Sequence, residues 1–362
     1  MKNIRRISAI ILAMVMLFSL ASCSLVNTSE TDITGDNIKI GVLLSDKADA
    51  VNGTAGICNT TIAQLTGLGY GIKDDRFKKV ESVNPDDADA VANAFKSLVN
   101  FECNLIIVSD PKFAQATNKV ADENKGIAFF VFNGQSNGKN IFGYKANITA
   151  ATYLAGITAG LKATELKVPK VGFILKSEKD YSTLNAFYKG AKSVNSAIIA
   201  SVAVAGDNIA AAAQKLAKAG CVVLASDIQD EAIAKTATEN DIFFCDFGTE
   251  AYGVNEEYAK AYLCAPLYDF TQYFIDEIKA VIDFEAPEDS EVSAVQLMTE
   301  QGLIKDYNGG FAAGSTYLSA VSKNVAEGTN ETIKAVSETI ANGSLKFELS
   351  ATELDKGITI VK

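Results

Sequence analysis

Residues 140–176, NIFGYKANITAATYLAGITAGLKATELKVPKVGFILK, decide how this chain is read. They give a short strand, a break, one long apolar helix and a second strand. Ile141-Phe142-Gly143-Tyr144 closes a run of strand-like segments. Thr149 suits an N-cap, its hydroxyl taking up an orphan amide of the first turn. No residue from Ala150 to Leu161 is charged. Gly156 and Gly160 are four apart and share one helix face, a smooth patch for another backbone to approach. Pro169 ends the helix, and residues 171–175 have the continuous apolar character of a buried strand. Two readings fit: a core helix of one α/β domain, or the first helix of a second lobe with 144–147 as the hinge. The strand–helix rhythm on both sides favours the second.

Upstream, residues 38–44 (IKIGVLL) form a parallel-type strand, followed by a polar loop and a helix to about Leu65. Gly67, Gly69 and Gly71 come after a helix rather than a strand, so they suit a C-cap and turn and not a nucleotide loop. Asn84-Pro85-Asp86-Asp87 opens a helix with Asn84 as cap. Strand 104–108, helix 113–124 and strand 128–132 complete a first lobe. Downstream, strands at 171–175, 197–205, 221–225 and 242–245 alternate with helices. That order predicts an α/β chain of parallel sheets with helices on both faces. A short strand at 263–267 precedes a helix at 270–282 that returns to the first lobe. Asn308-Gly309-Gly310 reads as a turn, and 332–341 as a helix.

The composition narrows the function. Lys+Arg number 33 against 44 Asp+Glu, a net charge of −11. Nothing there would neutralise phosphates, which argues against nucleic acid as a partner. With no His in the 362 residues, there is no imidazole base, no Ser-His-Asp or Cys-His nucleophile and no His-ligated metal. No catalytic, metal or cofactor site is expected. No spacing of acids marks a glycosidase pair either.

Lys2, Arg5 and Arg6 precede the apolar run 7–20, which is short for a bilayer span. Leu20-Ala21-Ser22-Cys23 then resembles the lipobox of bacterial lipoproteins. That resemblance implies a signal peptide 1–22, lipidation at Cys23, a polar tether 23–36, and a place on the extracytoplasmic face of the cell membrane. Removing 1–22 takes away three cations and no anions, moving the net charge from −11 to −14. Cys58, Cys103, Cys221, Cys245 and Cys264 are an odd set without C-x-x-C spacing, as expected of buried thiols acting as small hydrophobes.

In an open parallel sheet, ligands bind beyond the carboxyl ends of the strands. The loops to consider are 45–53, 109–113, 133–137, 176–184, 226–229 and 246–252. Asp110 and Phe113 are candidates in the second of these, although Asp110 before Pro111 also reads as a turn or cap.

The segments IKIGVLL, NLIIVSDPKFAQATNKVADEN, FFVFNG, ATYLAGITAGL, VGFIL, FYKGAKSVN and FFCDFG, in this order, resemble the basic membrane protein family. These are substrate-binding lipoproteins of ABC importers, purine nucleoside receptors among them. The resemblance spans about residues 38–282. It implies a type I periplasmic-binding fold, two Rossmann-like lobes joined by three hinge crossings. Lobe 1 would comprise 37–144 and 265–300, and lobe 2 145–264, with 301–362 a C-terminal segment of unassigned lobe. It further implies ligand contacts from Asp46 and Asn52 after the first strand. Asn133 stands at a strand-end aspartate position, and Asp246 at the aspartate that holds ribose hydroxyls. Thr183 and Phe187 stand at two aromatic positions, with Tyr181 as a substitute. Tyr268 stands where the family has a lysine. The implied function is a lipid-anchored, non-enzymatic receptor that closes on a small nucleoside-like ligand and delivers it to an ABC permease. A sensory lipoprotein partnering a membrane receptor is the alternative.

Overall fold

The computed structural model describes residues 33–45, 61, 64–65, 67–287, 289–346 and 348–361. Strands β1 (Ile40–Leu43), β2 (Phe77–Val80), β3 (Leu105–Val108), β4 (Ala128–Phe132) and β5 (Ile141–Asn147) pair in parallel, and β11 (Tyr307–Gly310) joins the edge beside β5. Side chains alternate between the two faces, so each strand feeds two cores. Phe130, with Ile40 and Ile107, packs under helices α8 (Thr271–Ile282) and α9 (Ala294–Glu300). Phe129 and Val131 face α1 (Ala88–Asn100) and α2 (Ala114–Glu123).

The second sheet has β6 (Lys170–Leu175) and β7 (Ile199–Val204), then β8 (Val223–Ser226) and β9 (Phe243–Phe244), again parallel. Strand β13 (Ile358–Ile360) adds to its β7 edge. Val171, Phe173 and Leu175 face α3 (Thr149–Glu165) and α4 (Ser182–Val194). Ile174 and Leu224 face α5 (Ile209–Lys218) and α6 (Glu231–Glu239).

Helix α3 is buried on nearly every side, which explains its uncharged stretch 150–161. One side meets α4, and the other meets α10 (Thr329–Ala341) through Ile333, Val336 and Ile340. The glycine patch works as the spacing predicts. A Cβ on Gly156 would collide with the Phe187 carbonyl, and one on Gly160 would lie 2.6 Å from that of Ala191.

The chain passes between lobes after Asn147, again near 262–266, and after Gly310. At the last two crossings β10 (Pro266–Tyr268) and β12 (Thr316–Leu318) form an antiparallel ribbon.

Several expectations need correction. Residues 145–147 belong to β5, so the first sheet extends three residues past the expected boundary at 144. Thr149 is the first residue of α3, not its cap. Its amide and hydroxyl both donate to Asn147 Oδ1, at 2.9 and 2.7 Å. Helix α3 ends before Pro169, with Lys167 in the left-handed region. Helix α1 is capped by Asp87 rather than Asn84, the Asp87 carboxylate accepting from the amides of Asp89 and Ala90. The Asn308-Gly309-Gly310 segment is strand, not turn. The strand pairs with β5, and a Cβ on Gly309 would collide with the Ser315 and Tyr307 side chains, so glycine is what lets these two side chains close over it. The C-terminal segment serves both lobes: β11 completes the first sheet, while α10 and β13 pack on the second.

Candidate functional site

The carboxyl ends of β6 and β9 meet the hinge around a cavity of about 540 Å³. From the second lobe come Asp180 in the loop before α4, Ser182 and Thr183 at the start of α4, and Phe247 after β9. Asn147, Ile148 and Thr149 come from the first crossing, and Tyr268 from β10. Leu349 arrives from the C-terminal segment. Phe247, Tyr268, Ile148 and Leu349 supply apolar and aromatic surface. Asn147, Thr149, Asp180 and Thr183 supply hydrogen-bonding groups. Among the described lining residues there is one carboxylate, Asp180, and no cation.

Local structure fixes these groups. Asp180 Oδ1 accepts from the Ser182 amide at 2.8 Å, tightening the turn into α4. Asn147 is held by its two bonds to Thr149, and its carbonyl accepts from Thr316 Oγ1 at 3.1 Å. The amide of Gly248, at φ +68°, donates to Pro266 O and ties the Phe247 loop to the hinge ribbon. Tyr268 stacks beside Phe270 at 12° and meets Phe132 edge-on at 5.5 Å, and burial pushes its phenol up to about 12.

Asp246 is 6% exposed, next to Phe247. Burial pushes its carboxyl up to about 7, against the pull of the Phe247 and Tyr252 amides and with added repulsion from Glu250. Oδ1 accepts from the Phe247 amide at 2.9 Å, while the buried Oδ2 has no hydrogen-bond partner. Asp227, at the end of β8, is likewise raised to about 6 by burial, with Asp180 adding to the rise. This rim of the second sheet is therefore acidic and favours ligand groups that donate hydrogen bonds.

Of the expected contacts, Tyr268 and Thr183 line the cavity, and Tyr181 and Asp246 adjoin it in sequence. Two need correction. Phe187 is fully buried in the second lobe's core, its ring 5.4 Å from Phe173. Phe113 is 1% exposed and packs with the core under α1 and α2. Each faces its own sheet because a helix start beside a strand end has one side in the core. Asp110 acts as a cap, accepting from the Lys112 amide at 2.8 Å. Asn133 is exposed, in the left-handed region at φ +50°, and its amide donates to Tyr144 O. Asp46, Asn52, Cys23 and Cys58 lie outside the described residues. Asp180 and Phe247 went unnamed by sequence reasoning, although both sit in loops picked out by the strand-end rule. The other four cysteines are buried free thiols, Cys245 and Cys264 with their Sγ atoms 3.7 Å apart.

A larger groove of about 640 Å³ lies between α1 and α2, lined by Val91, Phe95, Lys96 and Lys119. It is the trough between two packed helices on the outer face of the first lobe, running from Pro85 and Lys112 near their starts to Asn100 and Asn124 at their ends. Among the described residues, no group of acids and cysteines could hold a metal ion, and no helix is long and apolar enough to cross a membrane.

Comparison with known proteins agrees with this architecture. Residues 71–258, more than half of the chain, match the family described as ABC transporter substrate-binding protein PnrA-like. A solute-binding protein of an ABC transporter system from Conexibacter woesei superposes with a TM-score of 0.62 at 14% identity, over 86% of this chain and 99% of that one. A transcriptional activator of the comK gene from Bacillus halodurans gives 0.60 at 17% identity, over 86% and 100%. Likenesses this distant establish the fold alone, since one fold serves several functions. A metabotropic glutamate receptor-like protein from Dictyostelium discoideum is 23% identical over 199 residues, 52% of this chain and 26% of that protein. The chain thus spans about a quarter of the length of that curated relative.

Proposed function

The chain belongs to the PnrA-like family of ABC transporter substrate-binding proteins, and from that premise we propose that it takes up a nucleoside-like solute in the cavity at the hinge and presents it to an ABC permease. One observation carries this reading. The cavity sets Phe247 and Tyr268 beside the hydrogen-bonding groups of Asn147, Thr149, Asp180 and Thr183. A flat ring with hydroxyls on one side suits such a lining, the ring against the aromatic faces and the hydroxyls on the carboxylate and amide. Its volume of about 540 Å³ also lies in the range of small-molecule sites. The family is one of solute-binding proteins, and no covalent step is part of the proposal.

The lipid anchor at Cys23, with a place on the extracytoplasmic face of the membrane, belongs to the same proposal and rests on Leu20-Ala21-Ser22-Cys23. The test is a thermal-shift screen with purine nucleosides, pyrimidine nucleosides, free bases and pentoses. A ligand bound by the native state alone raises the melting temperature, by an amount that grows with its concentration over Kd. Nucleosides should raise it and free bases much less. A rise with pentoses alone would make the solute a sugar.

A further inference from the structure

We propose that the described residues 345–346 and 348–357 form a fixed wall of the hinge cavity, and that Leu349 on this strap sets the size of solute the cavity accepts. The proposal rests on the reading of that cavity as the ligand site. Leu349 is the one described lining residue that comes from neither a strand-end loop nor a hinge crossing. It lies outside the stretch matched to the family, so the shared region does not supply it.

The strap leaves α10, runs over the start of α4 and enters β13. It has no regular secondary structure, so its carbonyls and amides need partners from elsewhere. Asn185 provides them. Fully buried in α4, its Nδ2 donates to the carbonyls of Ser350 and Glu353, each at 2.8 Å, and its Oδ1 accepts from the Asp355 amide at 3.0 Å. Three of the bonds a primary amide can make thus go to this one segment. Around that clamp, the Tyr181 amide donates to Ala351 O at 2.9 Å and Tyr188 OH to Lys356 O at 3.2 Å. Lys189 Nζ donates to Glu348 O. All these partners belong to α4 or its first turn, so the wall is part of the second lobe.

The strap is more than a cover for α4. Leu345 and Leu349 pack against Tyr153, Leu154 and Ile157, and Leu349 also faces the cavity beside Phe247 and Tyr268. An aliphatic side chain there touches the ring of a solute and leaves the hydroxyls to Asp180 and Asn147. Asn185 is a positioning residue, and Leu349 is the surface that it positions.

The test is calorimetric titration of the full chain, Leu349→Trp and Leu349→Ala with inosine and with ribose. Leu349→Trp should weaken inosine at least tenfold and ribose less than threefold, while its unliganded melting temperature stays near that of wild type. Leu349→Ala should shift the inosine-to-ribose affinity ratio at least threefold. Unchanged ratios in both variants would overturn the proposal. If wild type binds neither probe, the nucleoside reading fails, and the wall is then judged by hydrogen exchange of Asn185→Ala, or of Asn185→Asp should the first not fold. Exchange at least tenfold faster in the strap and also at 147–149 and 247–249 would support a shared wall. A change confined to the strap and α4 would make it a cover only.

Discussion

Gly156 of α3 lies directly against the backbone carbonyl of Phe187 in α4, with no space for a methyl group between them. Gly190 of α4 stands in the same relation to the carbonyl of Tyr153. The two helices are thus seated on each other by reciprocal glycines, and the start of α4 with the loop before it carries Thr183 and Asp180 into the cavity. Gly156→Ala should force the helices apart at a cost of about 1–3 kcal/mol or more. A lowered melting temperature, by roughly 2–4 °C per kcal/mol, is the expected result. An unchanged melt would show that the pair can slide without penalty.

The two phenylalanines of the second lobe should separate stability from binding. Phe187→Ala empties a fully buried site and should cost about 3–5 kcal/mol of folding stability. Phe247→Ala should leave the melting temperature nearly unchanged but weaken the bound solute by about 1 kcal/mol, or roughly fivefold. Denaturant melts and titration of both variants check this. The opposite pattern would place the ligand against Phe187.

Asp246 should make stability depend on pH with a definite sign. Its carboxyl is raised from 3.8 to about 7 in the fold, so between those values the folded protein holds a proton that the unfolded chain has released. Its contribution is fully present below about pH 4 and is lost as pH rises towards 7, with a slope of at most about 1.4 kcal/mol per pH unit. Asp227 and Glu277, both raised by burial, act in the same direction. Asp246→Asn should therefore flatten the fall in unliganded stability between pH 4 and 7. Parallel curves for the two proteins would show that the carboxyl is not desolvated in solution.

Cys23→Ala should abolish lipid attachment, leaving the protein unprocessed or released. Two acyl chains hold firmly because each buried CH₂ contributes roughly 0.8 kcal/mol. Fractionation of cells expressing the variant reads the outcome. A variant still cleaved and still bound to membranes would remove the anchor from the proposal.

The fold was legible because strand–helix alternation and the Gly156–Gly160 spacing are local patterns that the core obeys. The site was legible only as a set of loops. Phe113 and Phe187 at helix starts look alike in sequence whether they face the sheet or a cleft, and burial decides between them. Gly309-Gly310 suggests a turn to any local rule, yet the need is close approach to Ser315 beside β5. Leu349 gave no signal at all, since its place depends on Asn185 in a helix some 165 residues earlier.

Both sheets are finished from far along the chain, β11 closing on β5 and β13 on β7. During synthesis a ribosome delivers β5 and β7 long before the strands that cover them. In that interval each half-built sheet shows a bare edge of amides and carbonyls open to a strand from another molecule. Non-local pairings of this kind also form slowly. The nascent protein is therefore most exposed to aggregation while nearly complete, and truncation before residue 307 should yield two sticky edges rather than a smaller stable protein.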